Sequence, residues 1–512
     1  MFDRASSAFS ALKGPEPFDA CVIGSGFAGI VVAKGLVERG ARTLLLESGQ
    51  GMLNWLLDKR LHELAAYEFS GDTDYPLKRT KARIVGGNSN FWTGRAERFH
   101  PSDFADHPYL PSPWPIGYDE LEPYYVRAER TLRVRAADFS EFAAPRSENP
   151  AVPPRPNISD LRAILARAGV TLDYSATATP RRAFRFFRMN HEVLPEVRRN
   201  PRLTLVSNAT VTRLLVEPDG LVGGAEVRAL DRTTKVARAK VFVVCCGGFE
   251  SPRLLLLSRS ESFPNGIGNR FDRVGRGFNE HASVNFYGAM THRRGTVLPR
   301  HKIGRSHQFY ERYRNEGLGA LLLNAIQSWV FPNHLLKFRL VDMPRYAAFL
   351  AKRVIRPELY LGTTIEMTVE DSNRITLSDR MTDHFGNPLA HMIFNYSTQD
   401  RLLMERSREL VREIYSKLGI SEIREGPDNF SMHHQGTCRM GDDPKVSVVD
   451  RDLRVHESPN LYVCGAENLV SGSAVPPTLT LVALAHRLAD HLGEALHRLP
   501  SRSYAARESG RP

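Results

Sequence analysis

The spacing of apolar positions changes several times along the chain, and each change marks an element. Ala20 to Ile23 and Thr43 to Leu46 are short, unbroken apolar runs, as strands covered on both faces should be. Between them, Ile30 to Arg39 has the length and composition of a helix that Gly40 ends. Residues 51 to 79 are mixed and partly helical, and Tyr118 to Arg130 reads as an amphipathic helix after a turn at Trp114-Pro115-Ile116. Further on, Arg202 to Val216, Ala225 to Leu230 and Lys240 to Val244 are β-rich, and the last runs into a glycine turn (Gly247-Gly248) before a Leu-rich helix. Arg374 to Ser378, the Gly386-Asn387-Pro388 turn and residues 391 to 396 predict an antiparallel sheet. Helix Gln399 to Leu418 follows, with Leu402, Leu403, Leu410, Ile414 and Leu418 as its buried stripe. Strand Leu461 to Cys464 ends at Gly465-Ala466, and Thr478 to Leu492 forms the last helix.

Composition narrows the class. At 512 residues the chain exceeds one small core, so two domains are expected, and 42% hydrophobic with 25% charged content is ordinary for a globular protein. Asn149 to Pro156 is the clearest crossing between them, and residues 1–16 and 501–512 read as frayed ends. The net charge of +12 permits acidic partners, but the basic residues are scattered without a nucleic-acid module, so no nucleic-acid partner is expected. The five cysteines form no C-x-x-C pair and most sit in apolar runs, which predicts reduced, buried thiols and a cytoplasmic setting. Neither a leader nor a run of about 18 apolar residues is visible.

The chemistry begins at Gly24, Gly26 and Gly29, a G-x-G-x-x-G that follows a strand and opens a helix. Such glycines make a tight turn, let backbone approach a pyrophosphate, and bring helix against strand. Glu47 stands 18 residues after Gly29, at the end of the second strand, where a carboxylate accepts from a ribose hydroxyl, with Ser48 beside it. An ordinary glycine turn in an α/β unit would leave Glu47 unexplained. An adenine dinucleotide is therefore expected.

Five further blocks carry a resemblance. They are Arg83 to Ser89 (RIVGGNS), Val244 to Pro252, Val274 to Gly277 with His281, His433 to Gly441 (HHQGTCRMG), and Asn460 to Thr480. Together and in this order the chain resembles the glucose–methanol–choline (GMC) family of FAD-dependent oxidoreductases, most of all its shorter bacterial sugar and polyol branch. The resemblance is weakest over 285–370. It implies an α/β fold in which a Rossmann-like FAD-binding domain (17–148, 191–284 and, with the catalytic His, 431–498) is interleaved with an α+β substrate domain on an antiparallel sheet (149–190 and 285–430). It further implies that Gly24, Gly26, Gly29, Glu47 and Ser48 hold the ADP half of FAD. The loop carrying Gly86, Gly87, Asn88, Asn90 and Phe91 would lie against the isoalloxazine ring and pyrophosphate. Val211 and Gly247 would face the adenine end and Gly465-Ala466 the pyrophosphate. Pro477 and Thr478 would start a helix aimed at the flavin N1–C2=O edge, where a helix N-terminus favours negative charge.

Two departures from the family pattern matter. Relatives that attach FAD covalently do so through a His in Ser-Thr-His-Trp; here Ser89-Asn90-Phe91-Trp92 puts Phe91 in that place, so FAD is expected to be non-covalent. The family also pairs the His of H-x-x-G-T with a His or Asn about 43 residues on, and here that position is Pro476. Alcohol oxidation needs removal of a hydroxyl proton and transfer of hydride to flavin N5, and a neutral imidazole suits the first. His433 is the candidate base; His434, its neighbour on an extended segment, should face the other way. For the missing partner three readings stay open: a nearby donor such as Asn468, Ser471 or Ser473; His433 acting alone; or loss of redox activity, as in lyase relatives. His281 reads as structural or as a substrate contact. Residues 301–357 read as a basic lid. Its 334–356 stretch carries Lys337, Arg339, Arg345, Lys352, Arg353 and Arg356 against Asp342, either a helical cover or a weak membrane-surface or partner contact. The expected substrate is a small-molecule alcohol, a sugar, polyol or glycosylated compound, with a lipid or sterol alcohol at a membrane surface as alternative. The electron acceptor is open.

Overall fold

Five parallel strands are stacked in the order Leu461–Val463, Ala239–Val244, Phe18–Ile23, Thr43–Leu46, Leu203–Val206. This is a computed structural model that describes residues 9, 12, 16–73, 75, 81–135, 158–181, 186–290, 302–328, 358–426 and 429–498. Phe18–Ile23 lies at the centre, Val22 registering with Leu45 on one side and Val243 on the other, and its last four residues are buried. The expected both-faces burial holds because helices cover the sheet. Helix Phe27–Glu38 starts three residues earlier than the apolar run suggested, because Gly26 serves as its N-cap. It buries Ile30, Val31, Leu36 and Val37, and packs on the last helix, Thr478–Arg498. The approach is close: a Cβ on Gly35 would meet Ala489 Cβ at 2.6 Å.

A seven-stranded sheet makes the second layer. Its path runs Ile423–Glu425, Ala282–Ala289, Glu358–Ile365, Leu321–Ser328, Lys302–Ser306, Asp173–Tyr174, with Asn429–Phe430 also pairing to Ala282–Ala289; every pairing is antiparallel. Helix Thr398–Lys417 packs against it, begun by a capping box between Ser397 and Asp400. Leu403, Leu410 and Ile414 are buried on that helix as expected, but Leu402 is 46% exposed and does not belong to the stripe. Smaller sheets join Tyr67–Gly71 to Pro388–Phe394 and Arg374–Thr382, and Thr210–Val216 to Val222–Arg228 and Thr234–Ala237.

The basic-lid reading of 301–357 needs correction. Lys302–Ser306 and Leu321–Ser328 are interior strands of the seven-stranded sheet, and Leu321, Leu322 and Leu323 are all buried because both faces of that sheet are covered there. The basic stretch 334–356 lies outside the described residues. Among the described residues no helix is long and apolar enough to cross a membrane. Cys21, Cys245, Cys438 and Cys464 are buried free thiols, and Cys246 is half-buried.

Candidate active site

A cavity of about 810 Å³ opens at the carboxyl ends of the parallel strands and runs to one face of the antiparallel sheet. Of the expected cofactor residues, Gly24, Gly26, Glu47, Ser48, Gly87, Asn88, Phe91, Val211, Gly247, Gly465, Ala466, Pro477 and Thr478 line it. Gly24 has φ +100° and lies against Cys245 O, while a Cβ on Gly29 would sit 1.9 Å from Gly24 O. Turn and helix thus lock together without side chains. A Cβ on Gly26 would meet no protein atom within 4 Å. No side chain caps the helix Gly26 begins, so its first-turn N–H groups are left for an anion. An open cradle at a bare helix N-terminus fits a dinucleotide pyrophosphate. Gly29, Gly86 and Asn90 stand behind the wall: Asn90 Nδ2 donates to Val85 O (3.1 Å) and Gly87 O (2.9 Å), holding the turn.

Glu47 sits at this cradle, but protein donors already hold it. Its Oε2 accepts from Ser25 N (3.0 Å) and Ser25 Oγ (2.6 Å), its Oε1 from Gly49 N (3.0 Å). Burial raises its pKa against the pull of these bonds. Ser25 Oγ accepts in turn from Gly86 N (3.1 Å), so one hydroxyl ties three loops. Ser48 Oγ is within 2.8 Å of Thr210 Oγ1 and accepts from Arg83 Nη1 (3.0 Å), and Arg83 pairs with Glu250 (2.8 Å). Sequence reasoning missed Ser25 and this Arg83–Glu250 network, whose members are far apart in the chain. It also missed Glu467, fully buried, which accepts from Ser251 Oγ (2.5 Å) and has no partner at Oε2.

The His281–His433 pair is assembled by strand register. Asn279 and Gln435 exchange backbone hydrogen bonds at 3.0 Å, which puts His281 opposite His433. Their Nδ1 atoms are 2.8 Å apart with rings at 87°. His281 Nε2 is 2.8 Å from Gly472 O. A carbonyl only accepts, so that nitrogen carries the proton and His281 Nδ1 is the acceptor. His433 therefore donates from Nδ1, and its Nε2 is left unprotonated, with no hydrogen-bond partner among the described residues. Burial keeps both rings neutral, His281 held down to about 4 and His433 well below its ordinary value, where the like charges of His281 and His434 add to burial. Beneath them the fully buried Glu280 accepts the backbone N–H of both His281 and His433 at 2.8 Å and the hydroxyl of Tyr75. Burial pushes Glu280 up to about 7.

Four candidates are not brought to this pair. His434 turns into an aromatic cage, its ring 4.7 Å from Phe249 and 5.9 Å from Phe278, with Nε2 buried and unpartnered; alternation along the extended segment decides this. Asn468 is fully buried and spends both ends on backbone, accepting from Gly465 N (2.9 Å) and donating to Cys438 O (3.0 Å). Ser473 Oγ is bound to Tyr310 OH (2.6 Å) and Ser471 is buried away from the cavity. The group bonded to His433 is His281, which the sequence left as structural or substrate-facing.

At this end Arg95, Asn285, Arg305, Asn324, Tyr360 and Thr364 line the wall, with Pro476. Asn285 and Asn324 flank Gly362 in register on neighbouring strands, and the space beside that glycine is taken by the hydroxyl of Tyr360, which donates to Asn285 Oδ1. An amide-and-hydroxyl floor beside an imidazole acceptor suits a polyhydroxylated alcohol.

Comparison with known proteins agrees with this geometry. Two family models, both described as GMC oxidoreductase, match residues 176–283 and 369–485. Paromamine 6'-oxidase of Streptomyces fradiae is 28% identical, the match covering 92% of this chain and 90% of the relative. The fructose dehydrogenase large subunit of Gluconobacter japonicus is 26% identical, covering 92% and 97%. C-glycoside 3-oxidase of Microbacterium trichothecenolyticum is 27% identical, covering 90% and 81%. Among solved structures, pyridoxine 4-oxidase from Mesorbium loti superposes with a TM-score of 0.60 at 21% identity, covering 93% of this chain and 99% of the other. With both parts of the family matched in order and full-length oxidase and dehydrogenase relatives, this chain belongs to the GMC oxidoreductases, FAD enzymes that act on alcohol groups.

Proposed function

We propose that the protein oxidises a CH–OH group of a sugar, polyol or glycosylated small molecule to a carbonyl, with non-covalently held FAD. The observation that carries this is the unprotonated Nε2 of His433 in the cavity wall, fixed by the chain from Gly472 O through His281. His433 takes the hydroxyl proton at Nε2, and His281 is a positioning residue that fixes the tautomer. FAD, when bound, supplies the hydride acceptor. Asn285, Asn324, Tyr360 and Thr364 orient the remaining hydroxyls. Gly24, Gly26, Glu47, Gly87, Asn88, Val211, Gly247, Gly465, Ala466, Pro477 and Thr478 hold the cofactor, and Phe91, having no nucleophile, makes no bond to it. In this reading 17–148, 191–284 and 431–498 form the cofactor part and 149–190 with 285–430 the substrate part. The names of the relatives, acting on paromamine, fructose and C-glycosides, support the substrate class.

The test is anaerobic mixing of the holoenzyme with a panel of sugars, polyols, aliphatic alcohols and sterols, followed at the flavin absorbance band. Bleaching by polyols, slowed about 10²–10⁴-fold by His433→Ala with FAD content unchanged, is the expected outcome. Bleaching by sterols alone, or a wild-type rate in His433→Ala, overturns the reading.

A further inference from the structure

The substrate end of the cavity holds a guanidinium that no carboxylate among the described residues pairs with. Arg95 and Glu97 lie two apart on an extended segment that follows the Gly87–Asn90 turn, its backbone tied to 176–178 by Ala96 N to Ala176 O (2.9 Å) and Ala178 N to Gly94 O (2.7 Å). Alternation sends both side chains the same way, toward Arg305. Glu97 is 2% exposed and fully committed: Oε1 accepts from Ser175 Oγ (2.8 Å), Oε2 from Arg305 Nη1. Arg305 is 1% exposed and its Nε has no partner. Two guanidinium groups thus share one carboxylate. Arg95 lines the cavity and has no hydrogen-bond or ion-pair partner among the described residues. Glu358 also lines the cavity, and its carboxylate is 3.9 Å from Arg424 Nη2. Burial and the like charge of Arg305 hold Arg95 down to about 10, so it is still a cation at neutral pH. A half-buried cation that no carboxylate directly pairs with favours an anionic ligand, and guanidinium pairs bidentately with planar or tetrahedral oxyanions.

We propose that the substrate is a sugar or polyol carrying an acid group, a carboxylate or phosphate, and that Arg95 anchors that group while His433 faces the alcohol to be oxidised. This rests on the alcohol-oxidation reading of the site. Arg95 here serves binding rather than proton removal, so its loss should act on saturation more than on the limiting rate.

The test titrates the holoenzyme anaerobically with D-gluconate, D-glucose 6-phosphate, D-glucitol and D-glucosamine. Half-saturation is read from the difference spectrum of oxidised flavin and, where reduction occurs, from its rate. At least one acid should half-saturate about tenfold or more below glucitol, and which acid does so decides between carboxylate and phosphate. Arg95→Gln should raise that value about 10- to 100-fold, the loss of one charge-assisted pair, and should move the value for glucitol far less. Arg95→Lys should retain most of the preference. Glucitol or glucosamine saturating as tightly as both acids overturns the proposal, as does an Arg95→Gln effect equal for acid and neutral probes. If Arg95→Gln loses FAD, the wild-type and Arg95→Lys comparisons still decide. An acid-dependent spectral change, removed by Arg95→Gln without any reduction, would leave the anchor standing and refute alcohol oxidation. Reduction by glucitol with no acid preference would do the reverse.

Discussion

Replacing His281 by Ala removes the only acceptor found for His433 Nδ1–H among the described residues, without touching His433, the proposed base. A buried donor left unsatisfied costs about 1–3 kcal/mol. The ring escapes that cost by moving its proton to Nε2, which removes the lone pair that, in the proposed mechanism, takes the hydroxyl proton. At 1.4 kcal/mol per factor of ten, the competent tautomer falls about 5- to 150-fold, and the limiting rate of flavin reduction should fall with it. His281→Asn keeps an acceptor oxygen near the position of Nδ1 and should recover part of the rate. Neither change touches the substrate-binding wall, so half-saturating substrate concentrations should move little. The assay is anaerobic stopped-flow reduction by a polyol, with FAD content checked by absorbance. A wild-type rate in His281→Ala would refute the tautomer argument. Equal losses in His281→Ala and His281→Asn, accompanied by loss of FAD, would show that His281 only supports the fold.

Acid precipitation should release the flavin into the supernatant, since Phe91 stands where covalent relatives carry His; yellow remaining in the pellet would contradict this. Glu47→Ala should lower FAD affinity by about 1.5–3 kcal/mol or more, because it frees Ser25 and Gly49 as well as a ribose acceptor, measured by equilibrium release of FAD. Wild-type affinity would exclude Glu47 from the cradle. His434, held down to about 3 by burial and then by the like charge of Lys81, stays neutral in the fold, whereas in the unfolded chain it takes a proton near pH 6.5. The unfolded state then binds more protons between those values, so this contribution to stability is complete above pH 6.5 and is lost as the pH falls towards about 3. From pH 6.5 to 5 the loss is about 2 kcal/mol for this one group. His434→Phe should shrink the drop in thermal midpoint between those two pH values, and an unchanged drop would rule out His434 as its source.

The dinucleotide unit was legible because it is local. Strand, Gly24-x-Gly26-x-x-Gly29, helix and Glu47 all lie within one βαβ stretch, where period and turn chemistry suffice, and the structure gives Phe18–Ile23, Phe27–Glu38 and Thr43–Leu46. The antiparallel strands were half legible: Arg374–Thr382 and Pro388–Phe394, paired in a small sheet of their own with Tyr67–Gly71, announce themselves by alternation and a Gly-Asn-Pro turn. Lys302–Ser306 and Leu321–Ser328 were misread as part of a lid, because burial on both faces erases the alternation that marks a strand. What replaces the family's second polar residue at Pro476 could not be read by counting along the chain. His281 meets His433 only because Asn279 pairs with Gln435 across two distant segments, and register is a tertiary property. The same holds for Arg95, Glu97 and Arg305. Sequence gives three common charged residues. Whether one cation is left without a carboxylate depends on which oxygens Ser175 and Arg305 occupy, and only the folded chain sets that count.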